Sequence, residues 1–85
     1  MKKVEAIVKL LTGIIEDRTV PRNIRTAAEE AKKELTENSN STWDIRLSSA
    51  ISILDEITND PNMPIYTRTQ IWNIVSMLEA VKREL

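Results

Sequence analysis

"IIEDRTVPRNIRTAAEEAKKEL", residues 14–35, holds the pattern that decides the fold: a polar break from Asp17 to Pro21 with an apolar stripe of helical period on either side. Upstream, Val4, Ile7, Val8, Leu11, Ile14 and Ile15 recur at i, i+3, i+4 and i+7, as on an amphipathic helix buried along one face. Downstream, Ile24, Ala27, Ala28, Ala31 and Leu35 resume the period with glutamates and lysines opposite, which predicts a second helix from about Pro21 to Glu37. The alanines of that second stripe admit a close neighbour.

The rest of the chain repeats the arrangement. "ENSNST" (37–42) is polar and aperiodic, a connector in which Ser41 or Thr42 can cap the helix that follows. A third helix then carries Trp43, Leu47, Ala50, Ile51, Leu54 and Ile57 inward, and a fourth buries Ile71, Ile74, Val75, Leu78, Val81 and Leu85. Displacing the chain against itself by 43 residues aligns Leu11 with Leu54, Ile14 with Ile57, Asp17 with Asp60, Pro21 with Pro64, Arg25 with Arg68, Thr26 with Thr69 and Leu35 with Leu78. The chain therefore reads as a duplicated helical hairpin, hairpin one over 1–38 and hairpin two over 43–85. Residues 14–35 resemble one HEAT-type repeat, with an aspartate at the turn, a proline, an arginine early in the second helix and small residues behind it. The second copy departs from that pattern in placing Ile71 and Ile74 where the first has Ala28 and Ala31. Two repeats are fewer than the roughly three that an open solenoid needs, so the expectation is an all-α, single-domain four-helix bundle over 1–85, built from two HEAT-like hairpins closed on each other.

Two of the chain's three prolines lie in "NDPNMPIYTRTQIW", residues 59–72, beside a Met63 that looks exposed. Pro61 disfavours helix at Asp60 and ends the third helix, while Pro64 has a preset dihedral suited to the first turn of the fourth. Thr67 to Gln70 also reads as a capping box if the helix begins there instead. Since the turn at 17–21 does the same job in the first hairpin, the stretch is expected to be mainly a turn, with recognition as the alternative.

"RLSSAISILDEITNDPNMPIYTRTQIWNIVSMLE", residues 46–79, and "PRNIRTAAEEA", from Pro21, resemble a small family of uncharacterised archaeal proteins of about this length, the "DPNMP" followed by "TRTQIW" being the specific part. The resemblance implies a compact helical bundle in archaeal cytoplasm. It implies no activity, no cofactor and no binding residue.

Composition removes most chemistry. Without histidine the usual general base near neutral pH and the commonest metal ligand are missing, and without cysteine there is no thiolate and no disulfide. Glu29, Glu30, Glu34 and Glu37, interleaved with Lys32 and Lys33, read as a solvated face with i, i+4 ion pairs rather than a metal site, and Asp55 and Glu56 as simply solvated. Ser48, Ser49, Ser52 and Ser76 have no base beside them, and a lone Gly13 builds neither an oxyanion turn nor a phosphate loop. Gly13 lies with Ala6 on the back of the first helix, either a tolerated glycine or a small-residue surface for another chain. The expectation is a non-enzyme with no catalytic residue, no metal and no cofactor. The basic Met1-Lys2-Lys3 start leads into a periodic segment broken by Glu5 and Lys9, which is neither a signal peptide nor a membrane span, so the expected setting is the cytoplasm.

Two surfaces remain. Trp72 lies about 100–120° from the centre of the fourth helix's buried stripe, with Ile65 on the same flank and Met77 on the opposite one. Either the fourth helix is the most enclosed of the four, its edge tryptophan sealing its own core, or its flank is covered by a partner; on the second reading these three are the candidate surface for an unknown protein, a second copy of the chain included. The other candidate is the end that carries residues 17–25 and 59–68, where the amino ends of the second and fourth helices meet Arg18, Arg22, Arg25 and Arg68. There Asp17 with Arg25, and Asp60 with Arg68, are expected to brace the turns, leaving Arg18 and Arg22, with Tyr66 to stack, for a weak phosphate or RNA contact. A net charge of −1 disfavours a general nucleic-acid coat. The leading expectation is a protein-interaction or scaffold module, and the alternative is that anion contact.

Overall fold

The computed structural model describes residues 2–37 and 40–85, so Met1 and, within the expected connector, Asn38 and Ser39 lie outside the described residues. The four apolar stripes become four helices, α1 (Lys2–Ile15), α2 (Arg22–Thr36), α3 (Trp43–Ile57) and α4 (Ile65–Arg83), with no strand among the described residues. α1 packs on α2, α2 on α3, α3 on α4 and α4 on α1, while the diagonal pairs do not meet. This is a ring of four, the bundle arrangement expected of helices joined by short connectors. The core runs down its middle, from Ile7, Leu11 and Ile14 of α1 through Ile24 and Leu35 to Leu47, Leu54, Ile71, Ile74 and Leu78, all essentially without solvent contact.

The turns that end α1 and α3 are built alike at the 43-residue offset. In the first, the Asp17 amide donates to the Ile14 carbonyl at 3.2 Å and the Val20 amide to the Asp17 carbonyl at 3.1 Å. In the second, Asp60 donates to Ile57 at 3.0 Å and Met63 to Asp60 at 3.3 Å. Each aspartate also folds its carboxylate back on the chain, Asp17 Oδ1 accepting from the Thr19 amide at 2.9 Å and Asp60 Oδ1 from the Asn62 amide at 2.8 Å. This is the self-bonding that makes aspartate a turn former. Pro21 and Pro64 stand at the N-cap positions with φ of −55° and −58°, and neither helix has a side-chain cap. Thr42 does cap α3, accepting from the Ile45 amide at 3.4 Å.

Several expectations are corrected. Met63 is only 5% exposed, because it occupies Val20's place in the second turn and plugs that end of the core. α4 starts at Ile65, so Thr67 is inside the helix and buried, and the Thr67–Gln70 capping box does not form. Leu85 lies beyond the last turn of α4 and is 61% exposed. The arginines brace the turns through carbonyls rather than through the aspartates. Arg25 Nε donates to the Val20 carbonyl at 3.0 Å, and Arg68 donates from Nη1 to Thr58 and from Nη2 to Asp60 at 2.8 Å. Carbonyls at the helix end and in the turn keep a lone pair in reach of the guanidinium, whereas both carboxylates are already engaged.

Candidate functional site

Asn23, in the first turn of α2, donates from Nδ2 to Asp60 Oδ2. That bond brings both turns, and the uncapped amino ends of α2 and α4, to one end of the bundle. Arg25 and Arg68 are spent on the turn carbonyls, as above. Arg18 and Arg22 are exposed and form no hydrogen bond or ion pair among the described residues, and Tyr66 is 73% exposed. The acids at this end oppose an anion. Asp17 in particular stays ionised, since the Thr19 hydroxyl at 2.6 Å and then the Thr19 amide hold its carboxyl below the usual aspartate range against a slight opposing effect of burial.

The second candidate surface divides. Ile65 is 84% exposed and Trp72 57% exposed, and at seven residues apart they share one outward face of α4. Met77 does not join them. It packs on the core from the opposite flank, where Asn73 Nδ2 lies 3.9 Å from its sulfur and where Asn73, with Gln70 and Ile74, borders Leu10 of α1. Half-buried, this long and flexible thioether packs on the core instead of standing outward.

A feature missed in the sequence lies at the other end. α1's first turns, the last turn of α2 and the first of α3 enclose an open groove of about 730 Å³ floored by Val4, Val8, Leu35 and Trp43. Arg46 forms one wall. Its guanidinium sits 3.7 Å over the Trp43 ring, while Nε donates to the Glu34 carbonyl at 3.2 Å and Nη2 to the Leu35 carbonyl at 2.5 Å. The Trp43–Arg46 spacing of three residues was the signal available, since i and i+3 are neighbours on a helix surface. At the same end Lys3 pairs with Glu84 at 2.5 Å, both side chains more than half exposed, and such pairs add little.

Among the described residues no three acidic side chains converge as a metal site. Ser52 and Ser76 are exposed, Ser48 and Ser49 half-buried, and among the described residues none is bonded to a lysine or carboxylate. No helix is long and apolar enough to cross a membrane. The class so defined is a small all-helical protein whose notable features are surfaces.

The chain belongs to the uncharacterised protein family UPF0147, whose profile matches residues 1–81. It is 55% identical over 78 residues to the UPF0147 protein of Methanocaldococcus jannaschii, covering 92% of this chain and 83% of that one. It is 50% identical over 80 residues to that of Sulfurisphaera tokodaii, covering 94% and 89%. Both are archaeal. Two solved structures share the fold. The unknown-function protein MMP1188 aligns with a TM-score of 0.87 at 55% identity, covering 91% of this chain and 86% of that one. The UPF0147 protein of Thermoplasma acidophilum aligns with a TM-score of 0.88 at 38% identity, covering 94% and 93%.

Proposed function

We propose that the chain is a non-enzymatic, cytoplasmic protein-interaction module, two HEAT-like hairpins arisen by duplication and closed on each other, that docks a protein on the outward face of α4. The exposed pair Ile65 and Trp72 carries this reading. Tryptophan is among the side chains most enriched at the energetic centre of protein contacts, and here more than half of its surface stands open to solvent. The matched turn bonds of Asp17 and Asp60, and the matched arginine braces, support the duplication. A second copy of the chain is the simplest partner for such a face, so sedimentation is the first test. A wild-type dimer that Trp72→Glu turns into a folded monomer supports the reading, since the substitution sets an unpaired charge in an apolar contact. A wild-type monomer at high micromolar concentration removes self-association. A pull-down from nuclease-treated native lysate then decides, and a partner retained equally by Trp72→Glu would overturn the assignment of this face.

One observation favours a second reading: Arg18 and Arg22 are the arginines of the turn end left without a protein partner among the described residues. On that reading they hold a phosphate or RNA strand with Tyr66 stacked beside it. Binding would weaken steeply with salt and fall in Arg18→Glu/Arg22→Glu, with the melting temperature unchanged. Salt-independent binding, or none, rules it out.

A further inference from the structure

The geometry points to a ligand site at the end of the bundle opposite the turns: the Trp43–Arg46 groove takes a small amphipathic anion, an aliphatic chain carrying one carboxylate-like head. The site is independent of the α4 face, since α4 contributes nothing to its lining. Its volume of about 730 Å³ lies in the range of small-molecule sites, and its walls are mainly apolar, as such sites are. Charge sets the sign of the head group. Among the described residues Lys2, Lys9 and Arg46 line the groove against one acid, Glu5. The groove also lies at the amino ends of α1 and α3, where helix dipoles favour negative charge. The carboxyl end of α2 would oppose an anion, but Arg46 covers its Glu34 and Leu35 carbonyls. The same two bonds hold the guanidinium over Trp43, so the wall is fixed in place. Ala6, small and exposed, leaves the mouth open.

The test is a titration of the ¹⁵N-labelled chain with dodecanoate, below its micelle-forming concentration, beside dodecyltrimethylammonium as the cation of equal chain length. With only two tryptophans, the indole signals separate the groove from the α4 face. The expected result is saturable shifts at the Trp43 indole and the amides of α1's first turns, with the cation weaker by about tenfold or more. Lys2→Glu/Lys9→Glu should weaken dodecanoate by about tenfold, and Ala6→Phe, which fills the mouth, should abolish the shifts. Thermal melts close to wild type would show that both variants fold. The proposal is overturned by absence of saturation, by equal binding of the two amphiphiles, or by shifts at the Trp72 indole in place of Trp43. Failure here leaves the α4 reading untouched, because that reading is tested by sedimentation and Trp72→Glu.

Discussion

Arg68→Ala and Arg25→Ala remove equivalent side chains from the two turns, yet the structure makes them unequal. Arg68 donates to two carbonyls at the end of α3, Thr58 and Asp60, and Arg25 donates to one, that of Val20. A hydrogen bond to a charged group contributes about 1.5–3 kcal/mol. Here the guanidinium groups are only half-buried, so their bonds compete with water and the lower end applies. Arg68→Ala also withdraws a cation from the carboxyl end of α3, and alanine returns a few tenths of a kcal/mol in helix propensity. The net expectation is about 2–3 kcal/mol for Arg68→Ala and about 1 kcal/mol for Arg25→Ala. With an unfolding entropy near 2.1 cal/mol/K per residue, a chain of this length loses about 5–6 °C per kcal/mol. Thermal melts by circular dichroism should therefore fall by roughly 10–15 °C for Arg68→Ala and about 5 °C for Arg25→Ala. Arg68→Lys, which reaches one carbonyl but not both, should fall between wild type and Arg68→Ala. Melts of both alanine variants within about 2 °C of wild type, or a larger loss for Arg25→Ala, would refute the assignment of these arginines as the turns' braces.

Leu54 and Leu78, both fully buried, should each cost about 2–5 kcal/mol on replacement by alanine, read from denaturant midpoints, and unchanged midpoints would contradict the core assignment. Gly13→Ala should raise stability by about 0.5–1 kcal/mol, because the added methyl meets no atom within 4 Å and glycine is costly inside a helix; a loss would mean that another chain packs there. Asp17 has a folded pKa below its unfolded value of about 4, so its contribution is present above that value and lost as pH falls through the lower, folded one. Wild type should thus lose more stability than Asp17→Asn between neutral pH and about pH 2, and parallel pH profiles would count against the carboxylate's role in the turn.

How much of this was legible depends on what each residue's signal rests on. The four helices follow from period, and period survives in side-chain type alone. Proline-rich surroundings make Met63 look exposed, although the 43-residue offset that pairs Asp17 with Asp60 also pairs Val20 with Met63, both buried. Thr67 sits where the first hairpin has Ile24, and its capping chemistry suggested a boundary that the proline three residues earlier had already set. Leu85 fits the stripe, but the stripe carries no stop signal. The three-residue spacing places Arg46 beside Trp43, but not its hold on the Glu34 and Leu35 carbonyls, which are backbone groups of another helix. Backbone acceptors leave no trace in a pattern of side chains.

The departure of the second hairpin from the first has a packing consequence. Ala27 and Ala31 of α2 correspond at the 43-residue offset to Gln70 and Ile74 of α4. Ala27 lies in the seam with α3, beside Ile53 and Ile57, and Gln70 and Ile74 lie in the seam with α1, beside Leu10. Small side chains let two helix backbones approach, and larger ones hold them apart. Accordingly α2 and α3 make the most extensive contact of the ring and α4 and α1 the least, although the two seams occupy equivalent places. The bundle is thus tightest between hairpins on the α2 side and looser at α4, the helix that also carries Ile65 and Trp72 outward. Between the two halves, the larger seam residues and the exposed Ile65 and Trp72 thus fall on the same helix, α4. A partner bound to that face would be supported by the helix least constrained by its own bundle.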